Sequence, residues 1–570
     1  MFKNYPTWAQ EFARKYLSKT LNQFVLHGNV RDLVPAKLPS GYQFPRMKNF
    51  LSDDLFGSRD IVIFYDRSSG ITFRDKKSQQ DFARAIAGLD TASGSDFSSK
   101  LPRDPNRVFA LLESYARLRV SNNKSVAIII DYAETIVPVN EGGSAGAEDR
   151  NTLVYLLKWA QDPLFMAADY TLVLLTENLS DLNRSLIQSP YNSAIKVGLP
   201  AEDQRTAFIQ SFTDSKTYKK ISDVPVKTLS QQTAGLNFIN LQALLANAME
   251  NKTRITFESL SKNKKELIEA EAYGLLEFVE TRFTLDDVAG HSRVKKHLRD
   301  AALAIRNGRP DVLPMGYLVC GPVGTGKTYM VNSFAGEVGV PMVKLKNFRS
   351  QWQGVTEGNL EKILTLLDAM APVAVMIDEA DAYLGDRSSS GDSGVSNRVF
   401  AQIAQFMSNT ENRGRIIWFL MTARPDLMPV DLKRQGRAEE HIALFYPSTE
   451  EERVELFHAM KKKTRLEMTK NVVPEIIRSG HKMFSGADME AALTRAKFRA
   501  ASEGKKRVTP ETLELTFADF IPPTYPEEIE LQTLNAVLEC TSRELLPEPY
   551  RSMSRDEVSR KVDELKLVVR

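Results

Sequence analysis

The run Gly321-Pro322-Val323-Gly324-Thr325-Gly326-Lys327-Thr328 constrains this chain more than any other feature. It follows the apolar stretch Gly316 to Cys320 and precedes Tyr329 to Val338, a helix-compatible stretch. Strand, glycine-rich turn and helix in that order make a phosphate-binding loop. The glycines let backbone N–H groups turn inward around phosphate oxygens, Lys327 supplies a point charge, and Thr328 offers a hydroxyl to magnesium. The N-terminus of the following helix adds a favourable dipole.

Further along, Val373-Ala-Val-Met-Ile377 is a continuous apolar run suited to a buried strand, and it ends in Asp378-Glu379-Ala-Asp381. Carboxylates at the C-terminal edge of a strand stand where open α/β sheets bind ligands. Asp378 is placed to help hold magnesium, and Glu379 to orient and deprotonate an attacking water. From Arg282 onward, strand-like runs at Gly316 to Cys320, Met342 to Leu345, Val373 to Ile377 and Ile416 to Thr422 alternate with amphipathic stretches. This is the pattern of a parallel sheet covered by helices, and Thr449 to Phe520 reads as a small helical lid.

These motifs, together with three others, resemble the AAA family of AAA+ ATPases over roughly Phe283 to Phe520. Phe283-Thr-Leu-Asp-Asp-Val-Ala-Gly290 looks like the family's segment beside adenine, which implies Asp287, Val288, Ala289 and Gly290 at the base. Ser485-Gly486-Ala487-Asp488 resembles the lid motif that closes over the nucleotide, implicating Gly486 and Ala487. Met421-Thr-Ala-Arg-Pro-Asp426 with Asp431-Leu-Lys-Arg434-Gln-Gly-Arg437 looks like the second region of homology. By that match Arg434 and Arg437 are arginine fingers, reaching the γ-phosphate of a neighbouring subunit.

The resemblance implies ATP and Mg2+ as cofactors and a homo-oligomer, a hexamer, as the working form. Where the family has asparagine after the threonine of this strand the chain has Ala423, and Gln435 replaces a proline. The Thr422 hydroxyl is the candidate replacement for the missing polar sensor. Phe348-Arg-Ser-Gln-Trp352-Gln-Gly354 is similar to the first pore loop, with Trp352 as the client-gripping aromatic, and Gly385 to Gly394 lies where a second pore loop would be.

The first half repeats the order of strands and helices, so the expected fold is α/β: two tandem AAA+-like modules, each a parallel sheet with flanking helices plus a small helical lid. Its phosphate loop is expected after Ile61 to Tyr65, but Asp66-Arg-Ser-Ser-Gly70 holds no lysine or double-glycine turn. Val126 to Ile130 ends in Asp131-Tyr132, with tyrosine in the catalytic glutamate position, and Thr176-Glu177-Asn178 ends the next strand as a retained sensor. The expected divisions are 1–200 and 201–262 for the degenerate module and its helices, 263–282 a linker, 283–446 and 447–520 the active module and its lid, and 521–570 a C-terminal extension.

At 570 residues, 42% hydrophobic and 26% charged, the chain has the composition of folded globular domains. No apolar run approaches the ~20 residues of a membrane span, and the N-terminus lacks a signal peptide's apolar stretch. With two cysteines and no metal-ligand spacing, a cytoplasmic setting is expected. A net charge of +3 gives no global field for nucleic acid, and Lys461-Lys-Lys463 and Lys505-Lys-Arg507 read as solvated faces. The leading expectation is a ring ATPase that remodels, unfolds or disassembles a protein client. A nucleotide-controlled scaffold and a nucleic-acid motor or loader are the alternatives.

Overall fold

A computed structural model describes residues 4–38, 41–93, 97, 101–139, 147–251, 253–272, 274–279, 283–307, 309–346, 357–384, 401–522 and 525–569. The chain divides into two units: Met1–Tyr273 with Val355–Met370, and Gly274–Gly354 with Ala371–Arg570.

The first unit is built on β1 (Gln23–Gly28), β4 (Ile61–Asp66), β5 (Gly70–Phe73), β6 (Val126–Ile130), β7 (Tyr170–Thr176) and β8 (Asn192–Val197), with a separate hairpin of β2 (Ala36–Leu38) and β3 (Gly41–Gln43). Strand order is β5-β4-β6-β7-β1-β8, and only the β4–β5 pair is antiparallel. Alternate residues of β6 and β7 enter different cores: Ile128, Ile130, Leu172 and Leu174 one, Ala127, Ile129, Val173 and Leu175 the other. Both faces are thus buried, which is why β6 is apolar at every position and β7 is so from Leu172 to Leu175. Past Pro200 the helices Glu202–Phe212, Ser215–Ile221, Val226–Gln232, Phe238–Glu250 and Phe257–Glu271 follow, with Phe208, Leu241 and Leu245 in a core of their own.

The second unit's sheet comprises β9 (Leu276–Val279), β10 (Gly316–Cys320), β11 (Met342–Leu345), β12 (Val373–Ile377), β13 (Ile416–Thr422) and β14 (Glu440–Ala443) in the order β14-β10-β13-β12-β11-β9. Only β9 runs antiparallel to its neighbour. The helices Glu450–Thr464, Glu475–Ser479, Gly486–Ser502 and Pro510–Asp519 form the lid around Phe457, Leu493 and Phe517. Among the described residues no helix is long and apolar enough to cross a membrane.

Three expectations need correction. The strand β10, which carries the phosphate loop, lies between β13 and β14; the strand in that place in the first sheet is β1, between β7 and β8. The degenerate loop therefore follows Gly28, not Tyr65. Gln23 and His27 disguised β1 in the sequence, although both are buried. The segment 263–282 is not a linker throughout: 263–271 complete the helix Phe257–Glu271, and β9 closes one edge of the second sheet. The stretch 521–570 is part of the second unit's core, where Leu531, Leu534, Val558 and Val562 cluster with Cys320 and Ala443.

Candidate nucleotide site

The phosphate loop leaves β10 through Gly321, at φ +142°, where a Cβ would run into the Leu444 carbonyl oxygen. Only glycine turns there without that collision. Gly324, at φ +88°, lies so close to the lid that a Cβ would come within 2.6 Å of the Ser485 Cβ. Gly326 caps the helix Lys327–Val338 with no side-chain acceptor, so the first-turn N–H groups face the loop without a carboxylate or hydroxyl cap. Lys327 Nζ donates to the carbonyls of Gly321 at 2.7 Å and Pro322 at 3.0 Å, and burial pushes its pKa down to about 8. Among the described residues its hydrogen bonds go to neutral carbonyls, while the Asp378 and Asp381 carboxylates act on it from a distance and partly offset the burial.

Thr328 Oγ1 donates to Asp378 Oδ2 at 3.2 Å, while Asp378 Oδ1 accepts the Glu379 N–H at 3.1 Å. Lys344 Nζ stands 3.5 Å from Asp378. A hydroxyl beside a carboxylate is the hard-oxygen donor set magnesium takes, together with phosphate oxygens and water. Glu379 sits at φ +50° with its side chain exposed just past the strand. A non-glycine residue in the left-handed region is uncommon, and here the turn leaving β12 holds it there.

Thr422 is 1% exposed; its hydroxyl donates to Asp381 Oδ1 at 2.6 Å and accepts the Arg424 N–H at 2.8 Å. Its single proton is thus committed to the Asp381 carboxylate. Arg424 makes a two-pronged pair with Asp426, both bonds 3.0 Å. The two arginines expected to act together differ. Arg434 is exposed, with Asp431 3.6 Å away, whereas Arg437 donates to the Asp431 carbonyl at 2.8 Å and its side chain is only 12% exposed. Arg434 is the one free to extend.

The segment expected at the base is fixed to the lid. Asp287 pairs with Lys462 at 2.9 Å and accepts the Thr284 N–H at 3.0 Å, contacts that hold its carboxyl below the ordinary range. The Val288 carbonyl accepts Lys295 Nζ at 2.8 Å, and the Gly290 N–H donates to Glu455 at 3.0 Å. Ala289 lies between them, half-buried. Ser485 caps the helix Gly486–Ser502 in a reciprocal box with Asp488, and the Gly486 N–H reaches the Gly324 carbonyl at 3.3 Å. Ala487 follows in that helix's first turn.

Sequence reasoning missed Tyr446, whose hydroxyl donates to the Val323 carbonyl at 2.5 Å, Gln532, whose Oε1 accepts the Val323 N–H at 3.1 Å, and Asp381 as the partner of Thr422. Tyr446 had a signal, standing at the end of the run that contains β14; Gln532 had none. Trp352 and the glycine- and serine-rich loop Gly385 to Gly394 lie outside the described residues.

In the first unit the same skeleton carries other chemistry. Tyr132 follows β6 at φ +51°, and the Tyr132 N–H bonds Asp131 Oδ1 at 2.9 Å, repeating Glu379 and Asp378. Gly28, at φ +96°, approaches Val197 as Gly321 approaches Leu444. Beyond it Arg31 pairs with Asp131, lies 3.7 Å over the Tyr132 ring and stands 3.7 Å from Glu177. Glu361, on the helix Glu357–Met370, stands 3.2 Å from His27 Nδ1. A cavity of 250 Å³ remains, lined by Arg31, Asp32, Asn178, Asn237, Glu361 and Lys362 among others.

Comparison with known proteins accords with this division. Residues 2–198 match the family described as AAA+ chaperone, N-terminal Rossmann-like domain, and 203–273 match AAA+ chaperone, second helical domain. Residues 317–446 match the ATPase family associated with various cellular activities (AAA). Over 430 residues the chain is 26% identical to a cell division cycle protein 48 homolog of Archaeoglobus fulgidus, covering 69% of this chain and 57% of that one. It is 25% identical over 394 residues to an uncharacterized AAA domain-containing protein, ycf46, of Guillardia theta, covering 68% and 74%. It is 29% identical over 238 residues to ATP-dependent zinc metalloprotease FtsH 1 of Salinibacter ruber, covering 40% and 34%. The chain therefore spans little more than half of the first relative's length and a third of the last.

Proposed function

The chain belongs to the AAA family of AAA+ ATPases, and from that premise we propose that its second unit hydrolyses ATP in a homo-oligomeric ring, a hexamer, that remodels a protein client. One observation carries the reading: Lys327 and Thr328, which follow β10, and Asp378 and Glu379, which follow β12, gather at one edge of the sheet, with Thr328 Oγ1 3.2 Å from Asp378. In the proposed reaction the loop N–H groups and Lys327 hold the phosphates, and the Lys327 ammonium exchanges its two carbonyl partners for phosphate oxygens. Magnesium held by Thr328 and Asp378 would neutralise charge on those oxygens. Glu379 takes the proton of the attacking water, and Asp381, steered by Thr422, orients the polar surroundings.

Arg434 is exposed and so is suited to reach a neighbouring copy's γ-phosphate, which makes turnover depend on assembly. Asp287 to Gly290 and Gly486-Ala487 would border the base, since their hydrogen bonds tie the lid to the loop. Trp352 is proposed to grip the client. The first unit is proposed to be a non-hydrolysing partner module, because Tyr132 stands where Glu379 stands in the second.

ATPase activity that rises with protein concentration is the expected result, abolished in Lys327→Ala and arrested with ATP bound in Glu379→Gln. Activity indifferent to Glu379→Gln would overturn the reading. Trp352→Ala is expected to keep ATP binding and lose client processing; retained processing removes threading from the proposal.

A further inference from the structure

The phosphate loop is touched by a side chain from near the far end of the sequence. Gln532, 6% exposed on the helix Pro526–Glu539, accepts the Val323 N–H at 3.1 Å. Its amide is oriented from one turn earlier, where Glu528 Oε1 accepts Gln532 Nε2 at 3.3 Å. Seven residues on, the same helix ends at Glu539, whose carboxylate takes Lys433 Nζ at 2.9 Å and stands 3.2 Å from His441 Nδ1. Lys433 also donates to the Pro425 carbonyl at 3.0 Å and is the immediate neighbour of Arg434.

Spacings of four and seven put Glu528, Gln532 and Glu539 on one face of the helix, spanning about 16 Å of its axis. Leu531, Leu534 and Val537 anchor the helix to Cys320 and Ala443, the residues at the ends of β10 and β14. One rigid, core-packed element thus meets the phosphate loop at its middle and the arginine-bearing loop at its end. The polar groups at both ends are largely buried, so leaving any of them unpaired is costly, and the pairings are correspondingly fixed.

We propose that the helix Pro526–Glu539 is a strut that couples the phosphate loop to the arginine loop. Gln532 is a positioning residue for Val323, and Glu539 is a positioning residue for Lys433 and through it for Arg434. Filling of the site shifts the loop at Val323, and the strut carries that shift to the residue offered to the neighbouring copy. The proposal rests on the ATPase reading above.

The test uses the full chain with Gln532→Met, which keeps the volume and removes the acceptor, and Glu539→Gln. Hydrogen exchange without nucleotide is followed over 321–326 and 424–437. ATP affinity is measured with a fluorescent ATP analogue in the Glu379→Gln background, and KM and kcat are measured with Glu379 intact. Gln532→Met is expected to speed exchange in the phosphate loop and raise the Kd for ATP about fivefold, the equivalent of one hydrogen bond. Glu539→Gln is expected to speed exchange over 424–437 and lower kcat about tenfold, with a smaller change in Kd.

A helix that is only packing would lower thermal stability and move KM and kcat together; that pattern, or wild-type exchange in Gln532→Met, overturns the proposal. Should Gln532→Met fail to fold, Gln532→Glu combined with Glu528→Gln retains the acceptor and exchanges donor and acceptor in its orienting contact; it must retain loop protection, and rapid loop exchange in it overturns the strut equally. A wild-type chain that binds no ATP removes the proposed function, whereas the nucleotide-free exchange still decides whether Gln532 holds the loop.

Discussion

Replacing Thr422 by valine isolates what the missing asparagine at Ala423 has been exchanged for. Valine fits the threonine volume and the strand, so no cavity forms; only the hydroxyl goes. That hydroxyl is 1% exposed and makes two bonds, a 2.6 Å donation to the Asp381 carboxylate and a 2.8 Å acceptance from the Arg424 N–H. A bond to a charged group contributes about 1.5–3 kcal/mol, and an N–H left without an acceptor costs about 1–3 kcal/mol. Thr422→Val is therefore expected to destabilise the second unit by about 2.5–6 kcal/mol in denaturant titration and to lower kcat. Thr422→Ser, which keeps the hydroxyl, should retain most of both. In a double-mutant cycle with Asp381→Ala the effects should fall short of additivity by at least 1 kcal/mol. Additivity within about 0.5 kcal/mol, or wild-type stability in Thr422→Val, would refute the claim that Thr422 works through Asp381.

Arg434→Ala should cut ring ATPase activity by about 10³-fold with stability within about 0.5 kcal/mol of wild type, whereas Arg437→Ala, losing the 2.8 Å bond to Asp431, should also lower stability; equal stability losses would sink the distinction. Burial alone would depress the His441 imidazole, but the Glu539 carboxylate outweighs it and holds the pKa above the ordinary 6.5. A raised folded pKa stabilises fully below pH 6.5 and fades as pH rises through the folded value, so the stability gap between wild type and Glu539→Gln should narrow from pH 6 to 9; a gap independent of pH excludes the ion pair. Gly324→Ala, forced into φ +88° with its Cβ 2.6 Å from the Ser485 Cβ, should cost about 1–2 kcal/mol and weaken ATP binding by opening the lid contact; calorimetry showing wild-type affinity would contradict that.

The second unit was legible because its strands are apolar on both faces and its loop chemistry is local. β10, β11, β12 and β13 occupy the spans read from the sequence, and Thr328, at the start of the helix after β10, meets Asp378, which follows β12. β14, Glu440-His-Ile-Ala443, was hidden by its two polar leading residues, of which His441 is buried through its bonds to the Ala438 and Glu539 carbonyls. β1 was hidden the same way, and with it the true place of the first unit's degenerate loop. Gln532 and the pairing of Thr422 with Asp381 were invisible for a different reason: each is a contact made only by tertiary folding, and no spacing in one sequence encodes a glutamine that meets a loop two hundred residues away.

The difference between the two units lies in where the compensating charges come from, not in the fold. In the second, Lys327 donates to the Gly321 and Pro322 carbonyls, and the helix Lys327–Val338 has no side-chain cap at Gly326. In the first, the chain supplies both charges itself. Asp32, two percent exposed, accepts the N–H groups of Phe238 at 2.9 Å and Ile239 at 3.1 Å, filling the N-terminus of the helix Phe238–Glu250 with a carboxylate. Arg31 places its guanidinium against Asp131, the counterpart of the proposed magnesium ligand Asp378. A metal ion beside Asp131 would have to displace the Arg31 guanidinium, whose side chain is 28% exposed. The Gly28 and Tyr132 backbones repeat the geometry of Gly321 and Glu379, while Arg31 and Asp32 line the cavity beside them with charges that the chain pairs internally.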